Sequence, residues 1–253
     1  MTELNTQSLA GKVAVVTGAS RGLGKRICEA FIREGGKVAM LARTAADLDA
    51  AAAELGPSAK AFVTDIADPT DVRRSFAALV ESFGGVDVLV NNAALGHLQP
   101  IEEAEDALLQ EEISANLLGP IYCIRSAIPL MRARGGGDIV NISTESVRMP
   151  YPFLTVYAAA KSAMETLSVG LRTEVRGDRI RVSVVRSGRL AESGFNRHWP
   201  EARRARYREI VQKAGYYAVS GEPISPQITA QAIVDLVRLP REAQIPIIEL
   251  SAS

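Results

Sequence analysis

The sequence predicts an α/β fold: a doubly wound parallel sheet of about seven strands, with helices on both faces. Short, valine-rich apolar runs alternate along the chain with longer segments of helical period, joined by short connections. Strict alternation of strand and helix is best buried as a parallel sheet crossed over by helices. Length sets the scale, because 253 residues fill one large domain and fall short of two.

The strand-like runs are Val13–Thr17, Lys37–Leu41, Ala61–Thr64, Val86–Val90, Asp138–Ile142, Ile180–Val185 and Ile245–Leu250. Helical segments lie between them at Leu23–Glu34, Ala45–Leu55, Pro69–Phe83, Ala104–Arg134, Tyr151–Arg176 and Pro226–Arg238. The first strand runs straight into Gly18-Ala19-Ser20-Arg21-Gly22-Leu23-Gly24 and then a helix. Glycines suit a sharp turn where a ligand approaches the backbone, and the helix start offers unpaired N–H groups to a pyrophosphate. Thr44-Ala45-Ala46-Asp47 has the form of a capping box for the second helix. Pro129 is expected to kink or end the long fourth helix, and Gly135–Gly137 to turn the chain into the fifth strand. No linker, low-complexity tract or solenoid-length repeat interrupts the pattern. Residues 1–253 therefore read as one domain.

Charge and composition exclude several classes. Twenty-nine Lys and Arg balance 29 Asp and Glu, so no basic footprint for nucleic acid exists. No apolar run reaches the ~18 residues of a membrane helix. Met1–Gly11 lacks the features of a signal peptide. Cys28 and Cys123 fall in helical segments without metal-like spacing, which fits a reducing compartment; cytoplasm is the expectation, with no metal. His97 and His198 stand far apart with no partner spacing, and Glu201–Glu209 reads as a solvated helix face.

In such a sheet, ligands bind beyond the carboxyl ends of the strands near the switch point. Polar residues gather there: Thr17-Gly18, Asn91-Asn92-Ala93-Ala94 and Ser143-Thr144. Tyr157 and Lys161 follow the fifth strand, four residues apart on one helix face. A free tyrosine has a pKa of about 10, and a nearby ammonium brings it toward the working range. The spacing brings Ser143, Tyr157 and Lys161 together.

These residues resemble the short-chain dehydrogenase/reductase family of about 250 residues, over essentially the whole chain, and a Rossmann fold follows from the likeness. The family's TGxxxGxG is met by Thr17, Gly18, Gly22 and Gly24, and its NNAG by Asn91, Asn92 and Ala93, with Ala94 for glycine. The resemblance implies a cofactor site of Gly18, Ser20, Arg21, Gly22, Leu23 and Gly24, joined by Arg43, Asp65, Ile66, Asn92, Ala93 and Gly188. It implies a catalytic tetrad of Asn116, Ser143, Tyr157 and Lys161, of which Tyr157 and Lys161 also meet the cofactor. In the implied roles, Ser143 holds the substrate oxygen and Tyr157 passes the proton. Lys161 lowers the tyrosine pKa and binds ribose, and Asn116 holds a water. Two further departures stand beside the nicotinamide end: Ser187 replaces a proline in Arg186-Ser187-Gly188, and Glu192, next to Ser193, replaces a threonine.

The implied activity is hydride transfer between NADPH and a small hydrophobic carbonyl compound or alcohol. The alternatives are a 3-oxoacyl-carrier-protein reductase, for which Arg132, Arg134, Arg172 and Arg176 are the candidate docking patch, and a non-catalytic nucleotide sensor or scaffold. The second strand ends Leu41-Ala42-Arg43, with no acid before Asp47, so Arg43 and Arg21 are placed to meet a 2′-phosphate. NADP(H) is expected over NAD(H). A substrate lid is expected at about 189–225, carrying Phe195, Trp199, Tyr207, Tyr216 and Tyr217, with Tyr151, Phe153 and Leu154 adding to its wall. The helix Tyr157–Leu171 is apolar nearly all round, which predicts a homo-oligomer, a tetramer or dimer.

Overall fold

The computed structural model describes residues 8–191, 193–216 and 221–252. Seven strands form one parallel sheet: β1 (Val13–Thr17), β2 (Lys37–Ala42), β3 (Ala59–Val63), β4 (Val88–Asn91), β5 (Gly137–Thr144), β6 (Ile180–Ser187) and β7 (Ile247–Leu250). Their order is β3-β2-β1-β4-β5-β6-β7. The chain builds outward from β1 to β3, returns to β1's other side as β4, and builds outward again. The crevice therefore opens between β1 and β4.

Helices α1 (Gly22–Arg33), α2 (Ala45–Leu55), α3 (Pro69–Phe83), α4 (Asp106–Ile113), α5 (Gly119–Ala133), α6 (Thr155–Glu174), α7 (Glu201–Lys213) and α8 (Pro226–Arg238) follow in chain order. One core packs Ile27 and Phe31 of α1 and Ile233 of α8 on Val16, Val38 and Val140. The opposite core packs Val72 and Phe76 of α3, Met131 of α5 and Met164 of α6 on Val15, Leu89 and Val182. Alternate side chains of each buried strand serve opposite cores, which is why these strands read as unbroken apolar runs.

Several elements depart from expectation. The segment foreseen as one helix over Ala104–Arg134 is broken into a 3-10 turn at Ile101–Glu103, α4, a π-helical turn at Ser114–Leu118, and α5. Pro129 does not end α5, which continues to Ala133. Pro129 and Arg125 are both exposed, so the Arg125 carbonyl that the proline leaves without a helical donor lies on the solvent side of α5. Thr44 takes the N-cap position of α2 but its side chain makes no capping bond. Asp68 does cap α3, accepting from the Thr70 N–H at 2.7 Å. Helix α6 starts at Thr155 rather than Tyr151, because Phe153 sits at a φ of 64°, outside the helical region. β6 runs two residues past its foreseen end, held by pairing of Ser187 with Thr144 and Leu250. α7 is solvated as foreseen, with Val211 its one buried residue.

No described helix is long and apolar enough to cross a membrane. Cys28 and Cys123 are free and buried, and burial pushes the Cys123 thiol up to about 12. Among the described residues no group of three or more acidic, His or Cys side chains is placed to hold a metal.

Asp87 ties the amino end of the sheet together. It accepts from the Val13 N–H at 2.9 Å, Lys12 Nζ at 3.1 Å and Arg134 Nη2 at 2.7 Å. Burial alone raises its carboxyl, but these three donors outweigh burial and hold the pKa below 3.8. Asp87→Asn is expected to cost roughly 1.5–3 kcal/mol at neutral pH in urea unfolding. The sign of the shift makes the wild-type advantage full above the ordinary value of 3.8 and lost as pH falls through the lower native value. A gap that stays constant into that range refutes the clamp.

Candidate active site

The carboxyl ends of β1, β4 and β5 open onto a cavity of about 1000 Å³. Close backbone approach builds its floor. Thr17 Oγ1 accepts from the N–H groups of Asn92 at 3.0 Å and Ala93 at 2.9 Å, and Asn92 Nδ2 donates to the Thr17 carbonyl at 2.9 Å. Gly18 has a φ of +64°, and a Cβ there would stand 2.8 Å from Ala93 Cα. A Cβ on Gly24 would stand 2.6 Å from Asn92 Nδ2 and overlap the Gly18 carbonyl. Any side chain at either position would force the turn away from β4.

Ser20, Arg21, Leu23 and Gly24 face this cavity with Asn92 and Ala93. Gly22 does not line it; its missing side chain makes room for the Ser193 carbonyl, which a Cβ there would approach to 2.8 Å. The first turn of α1 carries no acidic residue and Arg21 makes no side-chain cap, so its N–H groups are open to an anion. Beyond the glycine turn, Arg21, Arg43 and Arg197 line one end of the cavity. Arg21 stands 3.9 Å from Asp47 and Arg43 3.3 Å from Glu111. Burial and then the Arg197 charge lower the Arg21 pKa, a sign that positive charge is crowded here. Asp65 and Ile66 line the neighbouring wall, where Asp65 Oδ1 accepts from the Ala67 N–H at 3.0 Å.

At the other end, Tyr157 and Lys161 are buried on α6. Lys161 Nζ donates to the Ile142 carbonyl at 2.9 Å, and burial lowers its pKa to about 8. Burial pushes Tyr157 up, and the Thr144 hydroxyl, its hydrogen-bond partner, only partly opposes this. The expected lowering of the tyrosine by Lys161 is not found: burial of the phenolate dominates, and the Glu112 charge adds to it. The expectation for Ser143 also needs correction. Its Oγ donates to Glu165 Oε1 at 2.6 Å, and Glu165 is held on Arg186 at 2.8 and 2.5 Å. Asn141, two residues earlier on β5, likewise faces α6, donating to Ser168 Oγ at 2.9 Å. Side chains alternate along a strand, so Thr144 faces away from the side that Asn141 and Ser143 share and lines the cavity, where its hydroxyl accepts from the Ser146 N–H at 3.2 Å.

Asn116 lies fully buried in the π-helical turn. Its Oδ1 accepts from the Leu95 N–H at 3.1 Å, and Nδ2 donates to the carbonyls of Leu95 at 2.6 Å and Glu112 at 2.9 Å. The side chain is fully occupied in pinning the loop after β4. Ala94 keeps a negative φ, so standing where the family has glycine it adds a methyl but no left-handed backbone strain. Ser187 is ordered by strand pairing in place of a proline, and the Gly188 N–H donates to the Leu250 carbonyl at 2.7 Å.

The segment foreseen as a lid packs over this end. The Phe195 ring centroid lies 5.0 Å from that of Tyr157, and Trp199 stacks edge-on to it at 5.6 Å. Trp199 Nε1 and His198 Nε2 meet the same Gly96 carbonyl, at 2.6 and 3.0 Å. Tyr151, Leu154 and Tyr207 complete an aromatic wall, while Tyr216 packs behind Tyr151 at 5.2 Å. Phe153 lies under the Arg206 guanidinium instead, and Glu192 and Tyr217 fall outside the described residues. His97 and His198, unrelated by spacing, meet edge to face at 5.2 Å on the cavity wall, with Glu111 at 3.1 Å from His97.

Comparison with known proteins agrees with this fold. The short chain dehydrogenase family matches residues 12–203. A probable short-chain type dehydrogenase/reductase of Bradyrhizobium diazoefficiens is 44% identical over 70% of this chain and 66% of its own. A sorbitol dehydrogenase of Cereibacter sphaeroides is 36% identical over 63% of each. The matched stretch thus spans just under two thirds of either relative. Among solved structures, the L-sorbose reductase of Gluconobacter frateurii, complexed with NADPH and L-sorbose, superposes with a TM-score of 0.86 at 29% identity over 96% of each chain. A metagenomic short-chain oxidoreductase in complex with NADP gives 0.80 at 27% identity over 96% of this chain and 98% of the other.

Gly24→Ala is expected to lower stability by about 3 kcal/mol in denaturant unfolding, since the methyl meets backbone that cannot yield. A variant as stable as the parent contradicts the packing described for this turn.

Proposed function

The chain belongs to the short-chain dehydrogenase family, and from that premise we propose that it is an NADP(H)-dependent oxidoreductase interconverting a small carbonyl compound and its alcohol. The observation that carries the reading is buried Tyr157 one helical turn before buried Lys161, at the end of a cavity whose far end gathers three arginines. The residues fit a dinucleotide: the glycine turn leaves room for a pyrophosphate and α1 offers it N–H groups. Arg21 and Arg43 hold the 2′-phosphate, Asp65 and Ile66 flank the adenine, and Gly188 borders the nicotinamide. When bound, the cofactor supplies or accepts the hydride.

This chain's own residues manage the oxygen and its proton. Tyr157, kept neutral by burial, gives the proton of Oη to the substrate oxygen in the reductive direction. Thr144 orients that oxygen, taking the role foreseen for Ser143. Lys161 binds ribose and, with its pKa near 8, relays protons close to neutrality. Asn116 acts by pinning the 95 loop rather than by offering a free amide. Ser143 holds Glu165 and so braces the strand end. Residues 1–253 act as one domain with a lid at about 189–225, whose aromatic wall receives the carbon skeleton. Half of the patch that would favour an acyl carrier is neutralised, with Arg132 on Asp178 and Arg134 on Asp87. The outer face of α6, where Val169 is exposed, joins copies into a homo-oligomer.

Cofactor oxidation over a panel of ketones and aldehydes tests the reading. Tyr157→Phe is expected to retain about 1% of kcat or less, and Thr144→Val to lose about 100-fold, while Ser143→Ala loses no more than about fivefold. One charge-assisted bond to the 2′-phosphate should favour NADPH over NADH by about 10- to 150-fold in kcat/KM. No turnover with any carbonyl leaves a nucleotide-binding sensor as the function.

A further inference from the structure

One carboxylate in the cavity has no task in this reaction. Glu145 follows Thr144 directly and lines the cavity at its reaction end. Its Oε1 accepts from Tyr151 Oη at 2.7 Å. Oε2 lies beside Gly188, 3.3 Å from the position a Cβ would take there. Burial is the largest influence on the group and raises its pKa; the Tyr151 hydrogen bond and the Arg189 charge oppose this, and Glu249 adds to it.

A brace for the Tyr151 hydroxyl requires only one acceptor, which an amide or a main-chain carbonyl provides. A carboxylate offers about four acceptor positions, and leaving them unmet in a half-buried site is unfavourable. The positions on Oε2 adjoin Gly188 at the nicotinamide end, one residue along the chain from the hydroxyl that orients the reacting oxygen. Glu145, Gly188, Thr144 and Tyr157 all line the same cavity, so a substrate held at Tyr157 shares its space with this carboxylate. Phe195 and Trp199 pack in one apolar cluster with Tyr151 and Tyr157.

We propose that Glu145 is a substrate-recognition residue that accepts a hydrogen bond from a hydroxyl on the carbon beside the reacting carbonyl. The substrate is then an α-hydroxyketone in the reductive direction and a vicinal diol in the oxidative one. The inference rests on the oxidoreductase reading above and narrows its substrate class from apolar to hydroxylated. In reduction, the hydride of NADPH forms the new C–H bond, the Tyr157 proton forms the O–H bond, and the carbonyl π bond is lost. The neighbouring hydroxyl stays intact on Glu145.

The test compares 1-hydroxy-2-butanone with 3-pentanone, which replaces the hydroxyl with a methyl. Wild type is expected to favour the hydroxyketone by at least about tenfold in kcat/KM, the value of one hydrogen bond to a charged group. Glu145→Leu should bring that ratio near one, and Glu145→Gln should keep part of it. Tyr151→Phe should lower both ketones alike, since it removes the brace and leaves the acceptor. Equal efficiencies in wild type, or a ratio preserved in Glu145→Leu, overturn the inference. Trp199 is the only tryptophan of the chain and lines the cavity, so its fluorescence in NADP⁺-loaded protein reports binding without turnover. If neither ketone is reduced, the oxidoreductase reading fails. The fluorescence titration then decides Glu145 by itself: hydroxyl-dependent binding lost in Glu145→Leu sustains its role, and hydroxyl-independent binding overturns it.

Discussion

The site depends on how closely the backbone after β1 approaches the backbone after β4. Thr17 accepts from two successive N–H groups of the β4 loop while Asn92 returns a bond to the Thr17 carbonyl. Gly18 and Gly24 make this contact possible by having no Cβ to hold the two segments apart. Everything else takes its position from that seam. The N-terminus of α1 is aimed by it, the 95 loop continues from it, and Asn116 fastens that loop to the π-helical turn. The topology opens the crevice, and three hydrogen bonds with two missing methyl groups set its width.

Burial sets the chemistry at the other end. Lys161 and Tyr157 both lie out of water, and desolvation disfavours the charged form of each. The two shifts run apart: an amine that releases its proton more readily sits behind a phenol that holds its own more firmly. That is the order needed for a tyrosine acting as an acid and refilled from behind. A positively charged oxidised cofactor would shift the same tyrosine toward its anion, the form needed for the reverse direction.

The sheet was legible because each buried strand must be apolar on both faces, and seven runs separated by helical segments satisfy only a few topologies. Tyr157, Lys161 and the glycine turn were legible because their spacing is local. What was not legible came from tertiary choices. Ser143 and Thr144 are adjacent hydroxyls, and alternation along β5 allows one of them to face Tyr157, but only the Glu165–Arg186 pair shows which. A hint existed in the chain, since Arg186 stands just before Ser187 where a proline would leave no N–H for pairing. The π-helical turn around Asn116 left no periodic trace over five residues. His97 and His198 meet across a hundred residues of chain, which no spacing rule reaches.

The aromatic segment after β6 is fastened to the body at several points, with Arg203 on the Leu98 carbonyl, Arg206 on Glu103 and Tyr216 on the Pro150 carbonyl. The Gly96 carbonyl receives both Trp199 Nε1 and His198 Nε2, and Gly96 itself has no side chain because the Phe195 ring occupies that space. A cover stitched along its whole rim peels gradually and lets water in from the edge. Fastenings spread over Gly96, Leu98, Glu103 and Pro150 are of that kind, so loss of any one of them loosens one edge and leaves the rest in place.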